Sequence, residues 1–170
     1  MLLITPLIKD WCYQHELEQC LPDCQVMKIH EEIGELSSAL LKHDKEAIID
    51  AIGDVYIALT VLSEQIHIDI EERLMDFQNH YYHMYHEVSK FMVEVFYPKI
   101  ENLTFAVTMP NSYGKTVKDK HINDIVSALQ YLSIMINLNF NDCVKTAFNE
   151  VKNRSRTRVY RNFKTLDYQL

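Results

Sequence analysis

Places where the backbone can reverse sharply are scarce in this sequence. Three glycines and four prolines punctuate 170 residues, and β-branched runs bounded by such residues are nearly absent. A many-stranded β fold needs turn signals about every ten residues, so this shortage points to helices joined by few connections. With 48% hydrophobic residues, a chain of 170 residues can bury one sizeable core and is too short to expect two. The expectation is an all-α bundle of about six helices forming a single domain over residues 1–170.

The apolar spacing marks the helices. Thr5-Pro6 is a start signal, and Leu7, Ile8, Trp11, Cys12 and His15 continue at helical spacing to about Glu18. After Leu21-Pro-Asp-Cys, the stripe Met27, Ile33, Leu36, Leu40 and Leu41 predicts a second helix over 25–41, with Glu31, Glu32 and Glu35 off the stripe. A short polar turn over 42–45 leads into a third helix over 47–66. It is apolar around much of its circumference, as befits the centre of a bundle. Asp69 with Glu72 resembles a capping box for a fourth helix through His80, Tyr81, Tyr82, Tyr85 and His86, which Pro98 is expected to end. Residues 98–120 read as an irregular surface insertion. Helices over 122–138 and 140–152 follow, with Asn139 or Asn141 as the cap between them.

A faint internal echo accompanies these elements. Asp124 set on Asp54 aligns two stretches of similar apolar rhythm, and Tyr85-His-Glu-Val-Ser loosely follows Ile29-His-Glu-Glu-Ile. Two readings remain open: a pseudo-twofold internal repeat, or the general likeness of amphipathic hairpins.

Charge narrows the function classes. The net charge of −7 argues against a general nucleic-acid binder, since phosphate backbones are held by excess Lys and Arg. The charge is also segregated. Residues 152–164 carry six basic residues and no acidic one, leaving 17 − 6 = 11 Lys and Arg against 24 Asp and Glu elsewhere. The basic tail over 153–170 beside an acidic body suits a metal-bridged polyphosphate. No stretch approaches the roughly 18–20 apolar residues of a membrane span, so a cytoplasmic protein without membrane partners is expected. Cys12, Cys20, Cys24 and Cys143 read as thiols without disulfides or structural zinc.

The densest chemical signal is Glu31-Glu32-Ile-Gly-Glu35, followed after the turn by Asp50-Ala-Ile-Gly-Asp54. Residues three and four apart are neighbours on a helix, so Glu31 and Glu32 lie beside Glu35, and Asp50 lies beside Asp54. Folded antiparallel about the 42–45 turn, the two helices would bring these carboxylates together among apolar side chains. There they would repel one another unless protonated or bridged by a metal. Oxygen-only donors select a hard cation, Mg²⁺ or alternatively Mn²⁺. Gly34 and Gly53 are expected to keep room open beside the acids. An acidic run on a helix is more often a solvated face, but Asp54 sits in a nearly continuous apolar segment where a lone charge is costly.

The stretch KIHEEIGELSSALLKHDKEAIIDAIGDVYIALTVL resembles the MazG-like nucleoside triphosphate pyrophosphohydrolases of the all-α NTP pyrophosphatase superfamily, particularly the small phage versions. Their pattern is E-E-x-x-E, a gap, then E-x-x-D. Glu31, Glu32, Glu35 and Asp54 match it, whereas the Glu expected three residues before Asp54 is Ala51. Asp50 is carried as the substitute. A second block, AFNEVKNR from Ala147 followed by RVYRNFK, is similar to the C-terminal segment of phage MazG-like proteins.

The resemblance implies Mg²⁺ held by Glu32, Glu35, Asp50 and Asp54, with Glu31 as base or supporting group. It also implies a catalytic set of Glu31, Glu32, Glu35 and Asp54, and cleavage of an NTP or dNTP to the monophosphate and pyrophosphate. Lys28, Asn149, Lys152 and Arg154 are candidates for phosphate oxygens, Arg because its planar fork matches them in pairs. Trp11, Tyr56 and Tyr131 either stack on a base or sit in the core. His30, His80, His83 and His86 form no three-ligand set. Because of Ala51, a nucleotide-sequestering module of the same fold is the alternative, and a partner-docking role for the Tyr/His-rich helix is a third reading. A homo-oligomer is compatible with all of them.

Overall fold

The computed structural model describes residues 4–70, 85–109 and 113–153. It is all helical, with six helices and no strand among the described residues. Helix α1 spans Thr5–Gln14, α2 Pro22–Lys42 and α3 Lys45–Gln65. Helix α4 is continuous through Val88–Phe91, a π-turn at Met92–Phe96 and Tyr97–Thr108. Lys115–Met135 and Phe140–Val151 form α5 and α6.

The α2–α3 hairpin sets the frame. His43 takes the left-handed conformation after α2, and Asp44 then caps α3 by accepting a hydrogen bond from the Ala47 amide at 3.2 Å. Gln25 donates through Nε2 to the Ala58 carbonyl at 3.0 Å, tying the start of α2 to the latter half of α3. With this bond and the tight turn, the hairpin is antiparallel, and the Glu31–Glu35 turn lies level with the 48–52 turn. Helix α3 is central, as its apolar circumference requires. It packs most extensively on α2 and α6, and also touches α1 and α5, with Ile52, Val55, Tyr56, Leu59 and Leu62 fully buried.

Gly53 is needed for this packing. A Cβ there would lie 2.6 Å from the Cys143 carbonyl oxygen and closer still to the Ala147 Cβ. Gly53 therefore lets α6 approach α3 rather than opening space beside the carboxylates. Gly34 behaves as expected, with nothing within 4 Å of an added Cβ.

Several boundaries differ from those expected. The first helix stops at Gln14, because Glu16 adopts a left-handed conformation and a 3₁₀ turn at Leu17–Gln19 follows. Thr5 opens α1, but its hydroxyl bonds the Tyr56 hydroxyl at 2.8 Å instead of capping. The expected fourth helix lies mostly in 71–84, outside the described residues, while 85–87 is not helical, Glu87 is extended and α4 begins at Val88.

Pro98 does not end that helix, and among the described residues most of 98–120 is helical and not an irregular insertion. Proline removes the bond to the carbonyl four residues back and clashes with it, and the wider π-turn at Met92–Phe96 falls where α4 must accommodate this. Beyond it, Ile100, Leu103, Ala106 and Val107 are buried on one face. Helix α5 likewise starts at Lys115, seven residues before its expected start, because its first turns are polar and carry little periodic signal. Asn139 caps α6 as anticipated, accepting from the Asp142 amide at 3.2 Å.

Candidate functional site

The third and fourth turns of α2 carry the densest acidic cluster. Glu32 turns inward and is only 5% exposed, whereas Glu31 and Glu35 are exposed beside it. Lys28, one turn earlier, places its ammonium 2.6 Å from Glu32 Oε1 and 2.7 Å from Glu31 Oε2. The other oxygen of Glu32, Oε2, is buried and has no hydrogen-bond partner among the described residues. A buried acceptor left without a hydrogen bond costs free energy, so such an atom calls for a physical reason.

The electrostatics follow from this placement. Burial pushes the Glu32 carboxyl above its ordinary range; Lys28 pulls it down, and the neighbouring charges of Glu35 and Glu31 push it further up. Burial alone would lower Lys28, but its hydrogen bonds and charge interactions with Glu31 and Glu32 outweigh that and hold it well above its usual value. A cation already bridges two carboxylates here, and that cation is an ammonium.

On α3, Asp50 and Asp54 are half-buried, one turn apart, and Ala51 between them is buried. The hairpin register sets Ala51 level with Glu32. A Glu at position 51 would thus have extended from the packed face of α3 toward α2.

No group of three His, Cys, Asp or Glu side chains among the described residues is assembled as a ready metal cage. The fit to a hard cation rests instead on donor chemistry and on the orphaned Glu32 Oε2.

The other candidate residues have other partners. Asn149 and Lys152 are exposed at the end of α6 and bonded to each other at 2.7 Å. Arg154 lies outside the described residues. The three aromatic candidates are core: Tyr56 packs edge-on against Phe140 at 5.4 Å, Trp11 against Phe148 at 6.3 Å, and Tyr131 lies 5.0 Å from Phe91. His30 bonds the Thr104 hydroxyl at 3.0 Å across the α2–α4 interface. His80 and His83 are outside the described residues, and His86 is exposed.

The four cysteines form no disulfide, and burial raises the Cys12 thiol to about 12 and the Cys143 thiol to about 11. A groove of about 260 Å³, lined by Leu40, His43, Lys45, Ile48, Val88 and Ile136, opens at the hairpin turn. Sequence reasoning did not single it out, because its walls come from three separate parts of the chain. No helix among the described residues is long and apolar enough to cross a membrane.

Comparison with known proteins bears on the same segment. Residues 11–80 match the family described as phosphoribosyl-ATP pyrophosphohydrolase, which belongs to the MazG-like all-α NTP pyrophosphatase superfamily. The match holds α2, α3 and every acidic candidate, but covers less than half of the chain. A relative from Haemophilus phage HP1 (strain HP1c1), an "Uncharacterized 18.2 kDa protein in rep-hol intergenic region", is 38% identical over 63 residues. That alignment covers 36% of this chain and 39% of the phage protein. No solved structure matches.

Proposed function

We propose that the chain is a Mg²⁺-dependent nucleoside triphosphate pyrophosphohydrolase that converts an NTP or dNTP to the monophosphate and pyrophosphate. The observation that carries this reading is the buried Glu32, one of whose oxygens has no hydrogen-bond partner among the described residues, inside the segment that matches a pyrophosphohydrolase family.

Glu32, Glu35, Asp50 and Asp54 would hold the ion, with Mn²⁺ as the alternative. Bound there, it would neutralise phosphate charge and lower the pKa of a coordinated water. The chain's own residues do the rest. Glu31, exposed at the rim, accepts a proton from the attacking water, whose oxygen bonds the α-phosphorus while the bond from that phosphorus to the α–β bridging oxygen breaks and pyrophosphate leaves. Lys28, which pairs with Glu31 and Glu32 in this structure, is placed to turn to a phosphate oxygen once a bound cation would neutralise those carboxylates. Asn149, Lys152 and Arg154 are proposed to supply further phosphate contacts.

The sequestering alternative draws on one specific observation. In this structure Lys28 neutralises Glu31 and Glu32, and Ala51 leaves one fewer carboxylate at their level. A screen of all common NTPs and dNTPs with and without Mg²⁺, with products identified, separates the two. Monophosphate plus pyrophosphate is expected; tight binding with no product overturns the hydrolase in favour of the sequestering module, and diphosphate plus phosphate overturns the bond assignment.

A further inference from the structure

The two helical hairpins 22–65 and 88–135 match each other in detail. Helices α3 and α5 are both 21 residues long and start 70 positions apart, at Lys45 and Lys115. At that shift Ile52, Val55, Leu59 and Leu62 fall on Ile122, Ile125, Leu129 and Leu132, all fully buried. The helix ends agree bond for bond. His67 and Asn137 both have φ of 55°, and the amides of Ile68 and Leu138 return to the Ser63 and Ser133 carbonyls at 2.8 Å each. Such a left-handed terminus is common by itself. Its recurrence at the same shift as the buried faces is not explained by general amphipathicity.

The interface between α2 and α4 supplies independent evidence. His30 bonds Thr104 at 3.0 Å, and Ser37 bonds Tyr97 at 2.8 Å. A shift of 67 positions carries His30 to Tyr97 and Ser37 to Thr104, so each pair is the image of the other. That reciprocity is the signature of a twofold interface. Ser37 and Thr104 also bond back to the carbonyls of Ile33 and Ile100, which are 67 positions apart as well. The difference between shifts of 67 and 70 is taken up in the longer connection between α4 and α5. Tyr97, and not His86, is therefore the counterpart of His30.

The same two shifts show what the acidic positions have become. Glu31, Glu32 and Glu35 correspond to Pro98, Lys99 and Asn102, while Asp50 and Asp54 correspond to Lys120 and Asp124. Lys99 lies 3.8 Å from Asp124. That pair joins the positions equivalent to Glu32 and Asp54, so this geometry sets those two positions face to face across a hairpin. His121, in the place of Ala51, is held below its ordinary pKa by burial and by Lys120 and Lys99, against the pull of Asp124.

We propose that the chain contains two copies of one helical hairpin related by a pseudo-twofold axis, the second having exchanged a divalent-cation site for a built-in Lys99–Asp124 ion pair. Each chain then offers one cation-dependent triphosphate site, on the first copy. The cation part of this inference rests on the reading under Proposed function.

Counting bound Mn²⁺ by the loss of its free electron paramagnetic resonance signal tests it on the full chain. The wild type is expected to bind a fixed number of ions, Asp124→Asn the same number, and Glu32→Gln none. The triple variant Lys99→Glu, Asn102→Glu, Lys120→Asp is expected to bind twice the wild-type number. Loss of Mn²⁺ in Asp124→Asn overturns the inference without touching the hydrolase reading, and so does a folded triple variant with no gain. Should the triple variant fail to fold, Asp124→Asn against Glu32→Gln decides alone. A wild type that binds no Mn²⁺ overturns the hydrolase reading first, and this assignment of the site with it.

Discussion

Glu32 concentrates the local argument. Its neighbours Glu31 and Glu35 are solvated, whereas the Glu32 carboxylate is taken out of water, with one oxygen on Lys28 and the other without a donor among the described residues. Because its folded pKa is raised, the unfolded chain releases this proton at a lower pH than the folded one. The stabilising contribution is therefore full below the unfolded value, near 4.5, and is lost as pH rises through the folded value. Thermal unfolding of the wild type without divalent ions should show melting temperature falling across that window. Glu32→Gln should flatten the fall, and an unchanged profile would mean that Glu32 is not the group responsible.

The acidic motif was legible in the sequence because helical spacing alone puts Glu31, Glu32 and Glu35 together. Which of them is buried was not, since that depends on how far α2 rotates against α3. Nor was the engagement of Lys28. Spacing placed it one turn from Glu32, but the choice between solvent phosphate and two carboxylates is made by the depth of the cluster.

At the level of elements, the glycines separate two roles that the sequence presented alike. Both lie inside helices beside acids, yet Gly53 marks where α3 meets α6 and Gly34 faces open space. Gly53→Ala must push α6 away against backbone as well as side chain, and should destabilise by about 3 kcal/mol, roughly 6–12 °C in melting temperature. Gly34→Ala should instead be neutral or stabilising by about 0.5–1 kcal/mol through helix propensity. Differential scanning calorimetry on both variants checks the contrast, and equal effects would refute it.

The stretch 98–120 shows packing overriding local sequence signals. Proline, glycine and lysine there carried the usual marks of a loop, but the buried face of Ile100, Leu103 and Val107 needed only a π-turn to let Pro98 sit inside a helix. Local punctuation was outweighed by the apolar surface available to cover.

For the whole molecule, a ligand that binds the folded state alone stabilises it by mass action, about 2.7 kcal/mol at a hundredfold excess over Kd. Millimolar Mg²⁺ should accordingly raise the melting temperature of the wild type, and Glu35→Gln or Asp54→Asn should reduce that gain. A purely structural protein would show no Mg²⁺ effect, and removing crowded carboxylates could stabilise it outright. A chain whose melting point ignores Mg²⁺ in all three forms would end the metal reading.

Helix content, the caps at Asp44 and Asn139, and the pairing of acids along each helix were fixed by the sequence itself, since these depend on neighbours three or four residues away. Tertiary packing alone decided that Glu32 is buried, that Gly53 is a contact, and that Ser37, Tyr97, His30 and Thr104 answer one another across α2 and α4. Each of these depends on residues distant in the chain meeting in space, at registers that local periodicity does not encode.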